Sequence, residues 1–267
     1  MNPSQWAVVL VASAIGSLSQ GATGFGSAMV AIPIMLWGGL SLPVAIAVNT
    51  AIITFQGVTS CWQYRATIPW RETNAMVALR FATVPLGVWA LVSMQSWGPA
   101  FVKQVVGVTL LAILAFLVAF KVKPVARVAT IWTAIAGGAS GFLTGAVGMG
   151  GAPLVTWTLM HDWEPQRARG FLWATSLQMV PVSLLLLVWQ FGAHVLWFYF
   201  AGLAAFPVVA LGNRWGTQLG NSFSRQDLRC VTYVLLAFTA TVSIGAPWLT
   251  ARTHAPAAAH TAAASLH

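Results

Sequence analysis

The sequence predicts an all-α polytopic membrane protein of two inverted-topology repeats, each a glycine-broken re-entrant helical hairpin followed by three transmembrane helices. Three observations predict it. The composition excludes a water-soluble globule, a glycine-rich segment occurs twice at one spacing, and the basic residues fall on one face only if each glycine-rich segment turns back.

Of 267 residues, 58% are hydrophobic and 6% charged, against about a quarter charged in an ordinary soluble domain. Fourteen Trp and fourteen Phe, with a mean hydropathy of +0.78, exceed what one core of this size can hide, so lipid must solvate much of the surface. Thirteen Lys and Arg against four Asp and Glu give a net charge of +9. In a soluble chain that surplus would point to nucleic acid. Here the basic residues occupy short gaps between apolar runs, where Lys and Arg orient membrane proteins, so no nucleic-acid partner is expected. Cys61 and Cys230 have no metal-ligand spacing and are too few for a disulfide framework. The N-terminus lacks a basic stretch before its apolar run, so a removable signal peptide is not expected.

Apolar runs of spanning length order the chain. Residues 1–127 form a first repeat, with a broken hairpin at 6–40 and spans at 42–62, 74–94 and 101–120. Residues 128–249 form a second, with a broken hairpin at 128–160 and spans at 170–189, 194–211 and 228–249. Residues 250–267 are Ala-rich without apolar periodicity and are expected to be a disordered tail, its His254, His260 and His267 solvated rather than ligating.

The first break reads Gln20-Gly21-Ala22-Thr23-Gly24-Phe25-Gly26-Ser27-Ala28, and the second Thr144-Gly145-Ala146-Val147-Gly148-Met149-Gly150-Gly151-Ala152. Gly21, Gly24 and Gly26 fall on Gly145, Gly148 and Gly150 at a constant offset of 124, which reads as a duplication. If each broken region crossed the membrane once, Arg65, Arg71, Lys121, Lys123, Arg127 and Arg252 would face one side and Lys103, Arg167, Arg169, Arg214, Arg225 and Arg229 the other. If each turns back, ten of these share one face against Lys103 and Arg252 alone. The excess of Lys and Arg on cytoplasmic loops selects the second topology. Three crossings then separate the hairpins, so the repeats are inverted and both termini lie outside. That plan recurs in secondary transporters, whose sites lie at paired broken helices.

A broken helix exposes backbone groups that lipid cannot satisfy, so each break must be buried in protein or line a wet cavity. A half-helix starting after a break aims free N–H groups and the positive end of its dipole at the midplane, where an anion would sit. The candidate substrate-binding residues are therefore Gln20, Gly21, Thr23, Gly24, Gly26 and Ser27 in the first break, and Thr144, Gly145, Gly148, Gly150 and Gly151 in the second. Glycines that merely permit close helix crossing are the competing explanation. In the following spans, with one residue inserted in the second half, Asn49, Thr50 and Ala51 correspond to Ala174, Thr175 and Ser176, and polar groups recur at Gln56 and Gln178; Asn49, Thr50, Thr175 and Ser176 extend the candidate set, and hydrogen bonds between helices would equally explain them. Arg80, the one charge well inside a run, either snorkels to the interface or attracts an anion.

No carboxylate lies within a run: Glu72, Asp162, Glu164 and Asp227 all fall in cytoplasmic gaps. Proton coupling through an intramembrane acid is therefore not expected, and the expected traffic is an anion moving down its electrochemical gradient, exported by the inside-negative potential.

The Gly21 to Ala28 segment, its echo at Gly145 to Pro153 and the later Ala174-Thr175-Ser176 resemble the TauE/SafE family of sulfite exporters, over residues 6 to 249. The resemblance implies a bacterial inner-membrane transporter of sulfur-containing anions such as sulfite or organosulfonates, not an enzyme. Thr23 stands opposite Val147 and Ser27 opposite Gly151, so the site is expected to be asymmetric. No cofactor, no metal and no catalytic residue is expected. The expected partners are the small anionic substrate and the bilayer, with homodimerisation left open. The competing readings are a membrane scaffold that transports nothing, a sulfur relay using Cys61 and Cys230, and a membrane enzyme built on those cysteines or on His161 with Asp162 and Glu164, for which no nucleophile has an evident base.

Overall fold

The computed structural model describes residues 2–119, 125, 128–222, 234, 237, 239–241 and 243. Among them are ten helices and no strand: α1 (Pro3–Thr23), α2 (Ser27–Trp37), α3 (Leu42–Tyr64), α4 (Trp70–Gln95), α5 (Pro99–Ala119), α6 (Thr130–Val147), α7 (Gly151–Leu159), α8 (Pro165–Phe191), α9 (His194–Ala204) and α10 (Phe206–Ser222). Prolines open several of them in the first turn, where a missing N–H leaves no intrahelical bond unmade; Pro3, Pro43 and Pro165 do this for α1, α3 and α8.

Six of these helices, α1, α3, α4, α5, α6 and α8, are long and apolar enough to cross a membrane. Their outer faces carry exposed apolar side chains such as Leu86, Val108, Ile131 and Leu185, which only lipid can solvate at this density. Exposed tryptophans gather near helix ends, with Trp62 and Trp70 flanking the α3–α4 turn, Trp97 after α4 and Trp189 near the end of α8. Amphipathic rings prefer such interfacial levels. The chain is a multi-pass membrane protein.

Both glycine-broken regions fold back on themselves. In the first, α2 returns along α1: a Cβ on Gly16 would lie 2.9 Å from that of Ala31, and one on Gly38 would overlap Val8. In the second, the Trp157 indole N–H on α7 donates to Thr133 Oγ1 on α6 at 3.0 Å, and the Val125 N–H before α6 donates to the Met160 carbonyl after α7 at 3.0 Å.

Each hairpin is held by a helix from the other part of the chain. Gly137, Gly141 and Gly145 bring α6 against α4 at Leu79, Arg80 and Val84 to Gly87, while Gly212, Gly216 and Gly220 bring α10 against α1 at Ser17, Leu18 and Ala22. A glycine every fourth residue lets two backbones approach, which replaces the hydrophobic drive that lipid removes. Between these pairs α3 lies along α8 and α9: Gly57 packs on Leu177, Gly202 on Val48 and Ala51, and the Tyr199 hydroxyl donates to Thr54 Oγ1 at 3.1 Å.

Two features differ from the sequence expectation. The run 194–211 was expected to be one continuous span, but the helix stops at Ala204 and restarts at Phe206 with a 56° bend. Pro207 explains it, since its ring would collide with the carbonyl of residue 203 in a continuous helix. The second difference is the start of α4 at Trp70 rather than near Asn74. That puts Arg80 ten residues, or about 15 Å at helical rise, from the helix start. The expected span 228–249 falls mostly outside the described residues, and the tail 250–267, Cys230 and Asp227 lie wholly outside them.

Candidate functional site

The two helix breaks are built differently although their motifs match. α1 ends at Gly24, at φ +82°, whose N–H bonds to the Gln20 carbonyl at 2.7 Å, and α2 begins after Gly26 at φ +102°. α6 ends at Gly148, at φ +75°, with the Gly148 N–H on the Thr144 carbonyl at 3.1 Å and the Met149 N–H on that of Leu143 at 3.1 Å. These left-handed conformations strain any residue with a Cβ. Gly150 has φ −77° and serves otherwise: a Cβ there would overlap the Thr144 hydroxyl and the Ser140 carbonyl. The break is instead tied by the Ser140 hydroxyl, which donates to the Gly150 carbonyl at 2.6 Å.

Neither α2 nor α7 has a side-chain cap on its N-terminus, so both keep free first-turn N–H groups at the positive ends of their dipoles. Both ends border one cavity of about 70 Å³. It brings together Gln20, Gly24, Gly26, Ser27, Asn49, Thr50, Arg80, Thr144, Gly148, Gly150, Gly151 and Ser176 from the sequence-derived candidates.

Four other candidates do not line it. Gly21 faces Asn213 on α10, and Gly145 faces Val84 and Gly87 on α4, so both serve helix crossing. The Thr23 hydroxyl is spent locally on the Ser19 carbonyl at 2.9 Å. The Thr175 hydroxyl bonds within α8 to Phe171 at 2.8 Å, and the residue meets the site only through its carbonyl. Gln56 and Gln178 are also elsewhere: Gln56 bridges to the Ser17 carbonyl at 3.1 Å and to Asn213 at 2.9 Å, and Gln178 reaches Asn74. Residues not anticipated line the rest, chiefly Phe25, Met29, Ile53, Met149, Leu154, Met179 and Ser183. Helical periodicity could have found several, since Met179 and Ser183 follow Ser176 on one face of α8, as Ile53 follows Asn49 and Thr50 on α3.

Arg80 is the single charged residue lining the cavity among the described residues. It does not snorkel; it is 3% exposed. Its Nη1 donates to the Thr175 carbonyl at 2.8 Å and its Nη2 to the Thr144 hydroxyl at 3.0 Å, and the Thr144 hydroxyl donates in turn to the Ser140 carbonyl at 2.7 Å. Nε is buried without a partner. No carboxylate pairs with it among the described residues, where the ion pair is Arg167 with Glu72 at 3.6 Å. A buried guanidinium held by neutral acceptors keeps its full positive charge uncompensated.

The hydroxyls contribute less than their number suggests. Thr50 donates to the Ile46 carbonyl at 2.7 Å, Ser176 to that of Leu172 at 2.8 Å, and Ser27 to Asn49 Oδ1 at 3.1 Å. Among the described lining residues, the donors left for a ligand are Arg80, two helix N-termini, the side-chain amides of Asn49 and Gln20 and the Ser183 hydroxyl. Of these, Arg80 and the two helix N-termini favour an anion. Elsewhere, no group of three His, Cys, Asp or Glu suited to a metal occurs among the described residues. His161 lies between Trp157 and Trp163, at ring-centroid distances of 4.1 and 4.4 Å, and Cys61 is a half-buried free thiol away from the cavity lining.

Fold and cavity together define a polytopic helical membrane protein with a buried site of positive potential. The family model described as Sulfite exporter TauE/SafE matches residues 8–242, and the chain belongs to that family of membrane transporters. No curated protein and no solved structure matches the chain.

Proposed function

We propose that the protein exports small sulfur-containing anions, sulfite or organosulfonates, across a bacterial inner membrane, with both termini periplasmic. The observation that carries this reading is Arg80, a buried guanidinium with no carboxylate partner among the described residues, at a cavity bordered by two uncapped helix N-termini. The anion sits between the breaks as the missing counterion, held by Arg80, the N–H groups of α2 and α7, and Asn49.

The two halves act as inverted repeats about this site. Supporting that symmetry, each hairpin packs through glycines on a helix of the other half, Gly145 beside Gly87 and Gly21 beside Asn213. The driving force is the membrane potential, contributing roughly 2.3 kcal/mol per charge per 100 mV towards export. Among the described residues no carboxylate lines the cavity to carry a coupled proton.

The test is sulfite efflux from proteoliposomes under an imposed potential. Saturable, potential-sensitive flux is the expected result. Flux abolished by an uncoupler that leaves the potential intact would sink the coupling, and a folded protein that moves neither sulfite, sulfonates nor thiosulfate would return the chain to a scaffold role.

A further inference from the structure

The cavity wall continues along α8 towards the start of that helix, and the residue it reaches there is a free cation. Leu172, Ser176, Met179, Val180 and Ser183 line the cavity from α8, and the same helical face extended one turn backward arrives at Arg169. Its side chain lies against the tip of the first hairpin: a Cβ on Gly24 would be 3.8 Å from Arg169 Cγ and 3.9 Å from Leu172 Cδ1. Arg169 is partly exposed and makes no hydrogen bond or ion pair among the described residues. Its neighbour Arg167 is committed, paired with Glu72 at 3.6 Å and stacked 5.1 Å from the Trp163 ring.

The tip of the second hairpin packs against different chemistry. Gly148, which occupies the place of Gly24 in the repeated motif, meets Ile32 and Ile46 at 2.7 and 3.1 Å from its would-be Cβ, and both isoleucines are buried. Both glycines line the one cavity, so a charge flanks it beside Gly24 and apolar side chains flank it beside Gly148.

We propose that Arg169 is the loading residue of the cytoplasmic mouth, a positioning cation that captures the anion at the tip of the first hairpin before it reaches Arg80. This rests on the anion-export reading and adds an order of steps to it, Arg169 meeting the anion ahead of Arg80. An exposed charge acts mainly on the rate of encounter, and its effect fades with salt.

The experiment is initial sulfite flux in proteoliposomes of defined orientation, measured against cytoplasmic-side sulfite concentration at low and high salt, for wild type, Arg169→Gln and Arg169→Lys. The expected result for Arg169→Gln is a rise of about three- to tenfold in apparent KM at low salt with Vmax within about twofold, a rise that disappears at high salt. Arg169→Lys keeps the charge and should keep the wild-type KM. An unchanged KM in Arg169→Gln, a loss confined to Vmax, or a Lys variant as impaired as Gln would overturn the proposal while leaving export standing. A folded wild type with no flux at all would overturn the export reading itself.

Discussion

Arg80 Nη2 and Thr144 Oγ1 lie 3.0 Å apart although 64 residues separate them in the chain. The contact joins α4 to α6 beside both helix breaks, so the charge of the site is oriented by the hairpin it serves. The Thr144 hydroxyl both accepts from Arg80 and donates to Ser140, whose own hydroxyl ties down Gly150. The cation and the second break thus share one hydrogen-bonded chain.

Removing the charge should disable binding before it disables folding. Arg80→Gln is expected to lower kcat/KM for sulfite by about ten- to a hundredfold, as charge-assisted hydrogen bonds are worth about 1.5–3 kcal/mol. Parallel flux and thermal-melting measurements check this. A variant that melts like wild type and transports like wild type would remove Arg80 from the site.

Thr144→Val deletes the acceptor of Arg80 and the donor to Ser140 without changing volume much. Leaving buried polar groups unpaired costs about 1–3 kcal/mol, so a lowered melting temperature is expected, with Thr144→Ser close to wild type. Equal stability of the Val and Ser variants would show that water replaces the hydroxyl.

The matched glycines should not respond alike to alanine. At Gly24 a Cβ has 3.8 Å of room and only the left-handed backbone resists, at about 1–2 kcal/mol. At Gly148 the same strain is joined by overlap with Ile32. Gly148→Ala should therefore melt lower than Gly24→Ala in a thermal scan in detergent; the reverse order would contradict the packing at the second tip. Gly145→Ala, pressed on the α4 backbone, should reduce folded yield without altering KM in the protein that survives.

Asn49→Asp places a carboxylate at the cavity and within hydrogen-bond reach of Ser27. It would neutralise the potential of Arg80 and repel an anion, so sulfite flux should fall at least tenfold at neutral pH and recover partly as the pH falls and the new acid protonates. Flux indifferent to the substitution would argue for a path that bypasses the cavity.

The breaks were legible because glycine at Gly24, Gly26 and Gly148 answers a backbone need that leaves a mark in sequence. The orientation of the motif was not. Gly21 and Gly145 belong to the same repeated string yet point to neighbouring helices, because they lie three residues earlier on helical turns whose facing only packing decides. The depth of Arg80 is hidden in the sequence for a related reason: Arg71 and Glu72 interrupt the apolar pattern before residue 74, yet the helix includes them in its first turn, and α4 begins at Trp70. The bend between α9 and α10 did carry a signal, Pro207, obscured by the apolar residues on both sides.

The crossing of α1 with α10 has a bearing on how the molecule comes to exist. Helix α1 leaves the ribosome ahead of α10 and packs through Ser17, Leu18 and Ala22 against Gly212, Gly216 and Gly220, residues synthesised roughly 10–40 s later at ordinary translation rates of about 5–20 residues per second. Until then its small-residue face has no mate, and the first hairpin must wait in or beside the insertion machinery. Docking of the first hairpin is therefore governed by α10, and a chain interrupted before α10 should lose the packing of α1 as well.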